Sequence, residues 1–93
     1  MSTQTNYTNA QTASLASLGS RKHVVGAKQI RKALTAGSAQ QVFLAENADP
    51  AITEPLIALC HHNRVEFAWV RSMTDLGRAC GIEVGAAAAA IVA

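Results

Sequence analysis

The chain has 93 residues, 49% of them hydrophobic, which is enough for one domain with a core. Its formal net charge is only +2, and its two cysteines are too few for a disulfide framework and fit a reducing compartment. No basic start leads into an apolar run as in a signal peptide, and no apolar stretch reaches the roughly 18 residues of a membrane span, so a cytoplasmic protein without a membrane segment is expected.

Only four residues are aromatic, and alanine is abundant. A core of small side chains is filled by close approach of backbones rather than by bulk, which suits a layered α/β domain better than a loose bundle. Charge is unevenly placed. Residues 1–45 hold Arg21, Lys22, Lys28, Arg31 and Lys32 and no acid, whereas residues 46–93 set Arg64, Arg71 and Arg78 against six acids. Cations bunched in one half can form an anion-binding face, although a solvated helix face is the commoner cause of such a run.

In chain order, residues 1–12 are polar and uncharged and read as a flexible tail ahead of a single domain over 13–93. Leu15 and Leu18 suggest a short helix over 13–20, weakened by Gly19. Val24 and Val25 suggest a short extended piece. Gly26 opens a helix over 27–34. Ile30, Ala33 and Leu34 share its apolar face, Lys28, Gln29, Arg31 and Lys32 lie opposite, and Gly37 stops it. The free N–H groups and the dipole at that helix start favour anions. Lys28 and Lys32, four apart, lie on one side, which suits a phosphate-bearing partner.

Residues 41–45 have the β-branched and aromatic content of a buried strand, and Asn47, Asp49 and Pro50 are turn chemistry. Thr53 is the expected N-cap of the next helix, with Pro55 in its first turn. Leu56, Ile57, Leu59 and Cys60 form its apolar face, and Asn63 is its expected C-cap. Val65, Phe67 and Trp69 alternate along a strand over 65–70. Ser72 and Asp75 resemble a capping box for a helix that reaches Cys80 and ends at Gly81. In residues 85–93, five successive alanines favour helix by propensity. A buried central strand also reads as a continuous apolar run, and the alternation of elements before it decides for a strand. The resulting order, α-β-α-β-α-β-α-β, is an α/β fold with helices around a four-stranded sheet.

Cys60, His61 and His62, with Cys80 as a fourth ligand, lack metal-site spacing. Cys60 falls on an apolar helix face and adjacent histidines point in different directions, so a core cysteine and two surface histidines are expected, with no metal or other cofactor. No nucleophile-elbow pattern is present, and no catalytic residue is assigned. Gly77, Gly81 and Gly85 recur every four residues without the strand–turn–helix order of a dinucleotide fingerprint. Phe67 and Trp69 have the chemistry to stack on bases, but at strand spacing beside Val65 they read as core. Ile82, Glu83 and Val84 stand out: two large apolar side chains flank a carboxylate between Gly81 and Gly85, outside any amphipathic period, as in a loop that touches a partner.

The run Leu76-Gly77-Arg78-Ala79-Cys80-Gly81-Ile82-Glu83-Val84-Gly85-Ala86-Ala87-Ala88, with Gly26-Ala27-Lys28-Gln29 and Ala45-Glu46-Asn47-Ala48-Asp49-Pro50, resembles the ribosomal seven-Ae family of kink-turn RNA-binding proteins, above all its small bacterial members. The resemblance covers about residues 15–92. It implies a three-layer α/β/α sandwich with a mixed four-stranded sheet, and a non-enzymatic protein. It also implies a partner: structured RNA containing a kink-turn, a sharp bend with tandem sheared G·A pairs and a looped-out nucleotide. By position it assigns the helix after Gly26 to the widened major groove, Lys28 and Gln29 to the guanine edges, and Lys32 to bases or backbone nearby. Ile82, Glu83 and Val84 fall over the looped-out base.

Side-chain chemistry agrees with these roles. Gln offers both a donor and an acceptor, and Lys can donate to guanine O6 and N7. Aliphatic side chains cover an unstacked base without sequence preference. Phosphate contacts from Lys28, Arg31 and Lys32 would make binding salt-dependent. Ala27 stands where the family usually has Thr, which removes a hydroxyl from the helix start. The expectation is therefore a monomer that binds kink-turn RNA in the ribosome or another ribonucleoprotein. A protein-interaction or sensory domain on the same fold is the alternative. An enzyme using Cys60, His62 and Cys80 is a third.

Overall fold

The computed structural model describes residues 15–93. The tail read over residues 1–12 and the start of the helix read over 13–20 lie outside them. Residues 15–17 are helical and tighten into a 3-10 turn, Leu18–Ser20. Then follow β1 (His23–Val25), α1 (Ala27–Ala36), β2 (Ala39–Ala45), α2 (Pro50–Asn63), β3 (Phe67–Val70), α3 (Met73–Ala79) and β4 (Ala88–Val92). The sheet order is β1-β4-β2-β3. β4 runs antiparallel to both neighbours and β2 parallel to β3, so the sheet is mixed.

Strand alternation divides the core between two layers. Val42, Leu44, Ala88 and Ala90 meet Ile30 and Leu34 of α1 and Leu56 and Cys60 of α2. Phe43, Ala45, Ala68, Val70, Ala89 and Ile91 meet Leu18, Leu76 and Cys80 on the opposite side. Ile30, Leu34, Leu44 and Leu56 are fully buried, each contributing about 1.5–3 kcal/mol relative to an exposed side chain. All five residues of β4 are buried. The alanine run therefore forms a strand against its helix propensity, because it pairs on both edges and its small side chains let both helix layers approach.

Several local expectations are corrected. α2 starts earlier than Thr53: Asp49 is its N-cap, and the Asp49 carboxylate accepts from Ala51 N–H at 2.9 Å. Thr53 is buried within the helix, and Pro55 lies in its interior rather than its first turn. Asn63 is the last helical residue, its Nδ2 donating to the Leu59 carbonyl at 2.8 Å, and Arg64 takes the left-handed cap at φ 58°. Trp69 is 43% exposed and Phe67 half-buried, while Ala68 and Val70 are the buried residues of β3. β3 is an edge strand, so the layer that would cover Trp69 is incomplete.

Candidate nucleic-acid interface

The predicted site residues lie on two elements. Gly26 is the N-cap of α1 with φ 99° and ψ 147°, a backbone conformation that L side chains rarely adopt. No side chain caps this helix start, so the first-turn amides are left without a side-chain acceptor. Hydrophobic periodicity buries Ile30, Ala33 and Leu34 against the sheet and leaves Lys28, Gln29, Arg31 and Lys32 exposed. Lys28, Arg31 and Lys32 line an open surface groove of about 580 Å³ with Thr35 and Ala36. Among the described residues the one ion pair is Arg78–Asp75 at 3.9 Å, so the cations of α1 are not neutralised by carboxylates.

The second element is the loop after α3. Ser72 Oγ accepts from Asp75 N–H at 3.1 Å and starts α3 as the capping pattern predicted. Cys80 closes the helix, and Gly81 turns the chain at φ 80°. Ile82 N–H then donates to the Gly77 carbonyl at 3.1 Å, folding the loop back over its own helix. A Cβ on Gly77 would run into the Val84 carbonyl, and one on Gly85 would sit 3.1 Å from Met73 Cβ. Two of the three evenly spaced glycines thus permit backbone contact between loop and helix, a role the spacing hinted at without specifying. The contact turns Val84 outward, 70% exposed, with Ile82 at 36% and Glu83 also exposed.

The sheet brings these elements to one end. The Gly26 N–H donates to the Ala88 carbonyl at 3.1 Å, joining the start of α1 to the start of β4 just past the loop. Ala45 N–H donates to the Ala87 carbonyl at 2.9 Å and Glu46 N–H to the Val70 carbonyl at 2.8 Å. Asn47 Oδ1 accepts from Met73 N–H at 2.8 Å and ties the turn after β2 to the start of α3. Sequence reasoning gave Asn47 only a turn role, because this partner is 26 residues away.

The remaining candidates separate cleanly. Cys60 is fully buried, and burial pushes its thiol up to about 11. Burial also raises the Cys80 thiol, so neither cysteine is poised as a thiolate. His61 and His62 are exposed, as expected.

The arrangement offers an open helix start flanked by cations, beside an aliphatic surface. It can hold an anionic, partly unstacked ligand, and it presents no nucleophile–base pair. A profile of the family described as ribosomal protein L7Ae/L30e/S12e/Gadd45 matches residues 9–93. The chain is 46% identical over 69 residues to a Bacillus pumilus protein named RNA-binding protein, covering 74% of this chain and 84% of that one. It is 46% identical over 71 residues to the Geobacillus stearothermophilus protein named RNA-binding protein YbxF, covering 76% and 87%. Among solved structures, the Giardia lamblia 15.5kD RNA binding protein superposes with a TM-score of 0.74 at 32% identity over 77% of this chain. The match spans 61% of the Giardia chain's length. A Bacillus halodurans protein of unknown function shares the fold with a TM-score of 0.76 at 24% identity, covering 85% of this chain and 83% of that one.

Proposed function

Because the chain belongs to the ribosomal protein L7Ae/L30e/S12e/Gadd45 family, we propose that it is a non-catalytic RNA-binding protein that recognises kink-turns and holds them in their bent form. The supporting observation is the placing of the cation-flanked start of α1 and the exposed Ile82–Val84 surface at one end of the sheet, linked through Gly26 and Ala88. In this reading Lys28 and Gln29 read guanine edges of the sheared pairs, and Arg31 and Lys32 contact phosphates or bases alongside. Ile82 and Val84 shelter the looped-out base, which has lost its stacking partners and needs an apolar cover. Glu83 lies between them as an acceptor for a base edge or ribose hydroxyl. The protein adds no bond chemistry. It binds the kinked conformer better than the extended one and so shifts the population towards it. Relatives named RNA-binding protein support the RNA part of this reading. The RNA lies in the cytoplasm, in the ribosome or another ribonucleoprotein, and one copy of the chain engages each kink-turn.

Titration of the protein into a kink-turn duplex labelled at both ends tests this directly. Binding should be accompanied by end-to-end shortening. A duplex with Watson–Crick pairs in place of the tandem G·A pairs should bind more weakly. Equal affinity for the two duplexes would reject kink-turn recognition.

A further inference from the structure

A second concave surface lies outside the residues assigned so far. An open groove of about 740 Å³ runs between the N-terminal helical turn, the edge of β3 and α3, lined by Leu15, Gly19, Trp69, Arg71, Asp75 and Arg78. Trp69 is the sole tryptophan of the chain and is 43% exposed. Its indole meets the Phe67 ring edge-on, at 6.1 Å between centroids and 87° between planes. Arg71 and Arg78 are exposed, and among the described residues the ion pair of Arg78 is with Asp75, three residues earlier, at 3.9 Å. A pair so exposed holds its arginine weakly, leaving both guanidinium groups available to a ligand.

We infer that this groove is a second RNA-binding subsite, which takes a single-stranded segment of the same RNA: a base stacks on Trp69 while Arg71 and Arg78 contact the phosphates on either side of it. An exposed aromatic ring beside cations in an open groove is what a single strand needs, since every base has a face to stack and every linkage a negative charge. A duplex would not fit, because its bases are already stacked on one another. Position favours the same RNA molecule. The groove takes Asp75 and Arg78 of α3, while the loop carrying Ile82 and Val84 packs on Gly77 and Met73. The two surfaces therefore flank one short helix, about 10–12 Å across, and a strand leaving the aliphatic surface reaches the groove by crossing α3. Residues 1–14 precede Leu15 at the groove's rim and are the competing occupant. They contain no acidic residue and so offer nothing to complement Arg71 and Arg78.

This subsite extends the kink-turn reading, and the test separates the two. The full chain is titrated with a kink-turn duplex, with the same duplex carrying a single-stranded extension of about eight nucleotides, within the length such grooves track, and with the extension alone. Trp69 fluorescence and affinity are read together. The extended RNA should bind more tightly than the blunt one and quench Trp69. Trp69→Ala should cost about 5- to 150-fold in affinity for the extended RNA, the range of one lost stacking contact, and leave the blunt duplex unaffected. Arg71→Gln should weaken only the extended complex, with Trp69 in place to report that the fold is intact. Equal binding of blunt and extended duplexes, with tryptophan emission unmoved, overturns the subsite and leaves kink-turn recognition standing. Quenching by the extension alone, with no preference for the kinked duplex, keeps the subsite and removes the kink-turn reading. An emission shift on deleting residues 2–14, with none on adding RNA, gives the groove to the tail and overturns the proposal.

Discussion

Gln29 is exposed on α1, one position from Lys28, and its amide is the group there able both to donate and to accept. Gln29→Ala should lower the preference for sheared G·A over Watson–Crick pairs by roughly 1–3 kcal/mol, read as the ratio of Kd values for the two duplexes. Val84 is 70% exposed, so Val84→Asp should leave the circular dichroism spectrum and the melting temperature unchanged while sharply weakening RNA binding, because it puts a charge into the apolar cover proposed for the looped-out base. Cys60 behaves oppositely. Burial lifts its thiol from an ordinary 9.0 to about 11, so the folded chain holds that proton more tightly than the unfolded chain does. The site leaves stability unchanged below pH 9 and lowers it as pH rises from about 9 to 11. Alkylation at pH 8 should track unfolding, and rapid labelling of the native protein would contradict the burial. At this scale the residues of α1 were legible because a helical period sorts inside from outside. Trp69 was not: alternation tells which face a residue takes but not whether anything covers that face.

At the scale of elements, the loop at residues 82–85 depends on glycine more than on its own side chains. Gly77→Ala would press a methyl group against the Val84 backbone, and no rotamer change relieves a clash with a carbonyl. The expected cost is about 1–3 kcal/mol of stability, as for other overpacked sites, with a larger loss of RNA affinity because Ile82 and Val84 are displaced together. Chemical denaturation and RNA titration on the same variant separate the two effects. Unchanged affinity would show that the loop's position does not matter for binding. The ends of α1 and α3 were readable from Gly37, Ser72 and Gly81. The start of α2 was misread because Asp49 looked like turn chemistry alone, although a carboxylate before Pro50 is also a good N-cap. The strand at 88–92 was read correctly only by weighing the alternation of elements above local propensity, which for five alanines points to helix.

At the scale of the whole molecule, Lys28, Arg31 and Lys32 form one side of the proposed site, with no ion-paired carboxylate among the described residues. Replacing any one that contacts phosphate by Gln should reduce the slope of log K against log salt by about 0.7–0.9. A slope that stays constant for all three would place the phosphates elsewhere. The layered architecture was legible from the alternating pattern, but the order β1-β4-β2-β3 was not, since pairing between distant segments leaves no periodic mark in the sequence. That order has a consequence for how the protein comes into being. The strand that holds β1 against β2 is the last of the four described strands to be synthesised. A growing chain has produced the cationic helix by residue 36, yet Gly26 finds its partner only when Ala88 arrives. Under the proposed function, binding competence is withheld until β4 is made: the start of α1 and the aliphatic loop acquire their spacing in a single late step, when Ala88 meets Gly26.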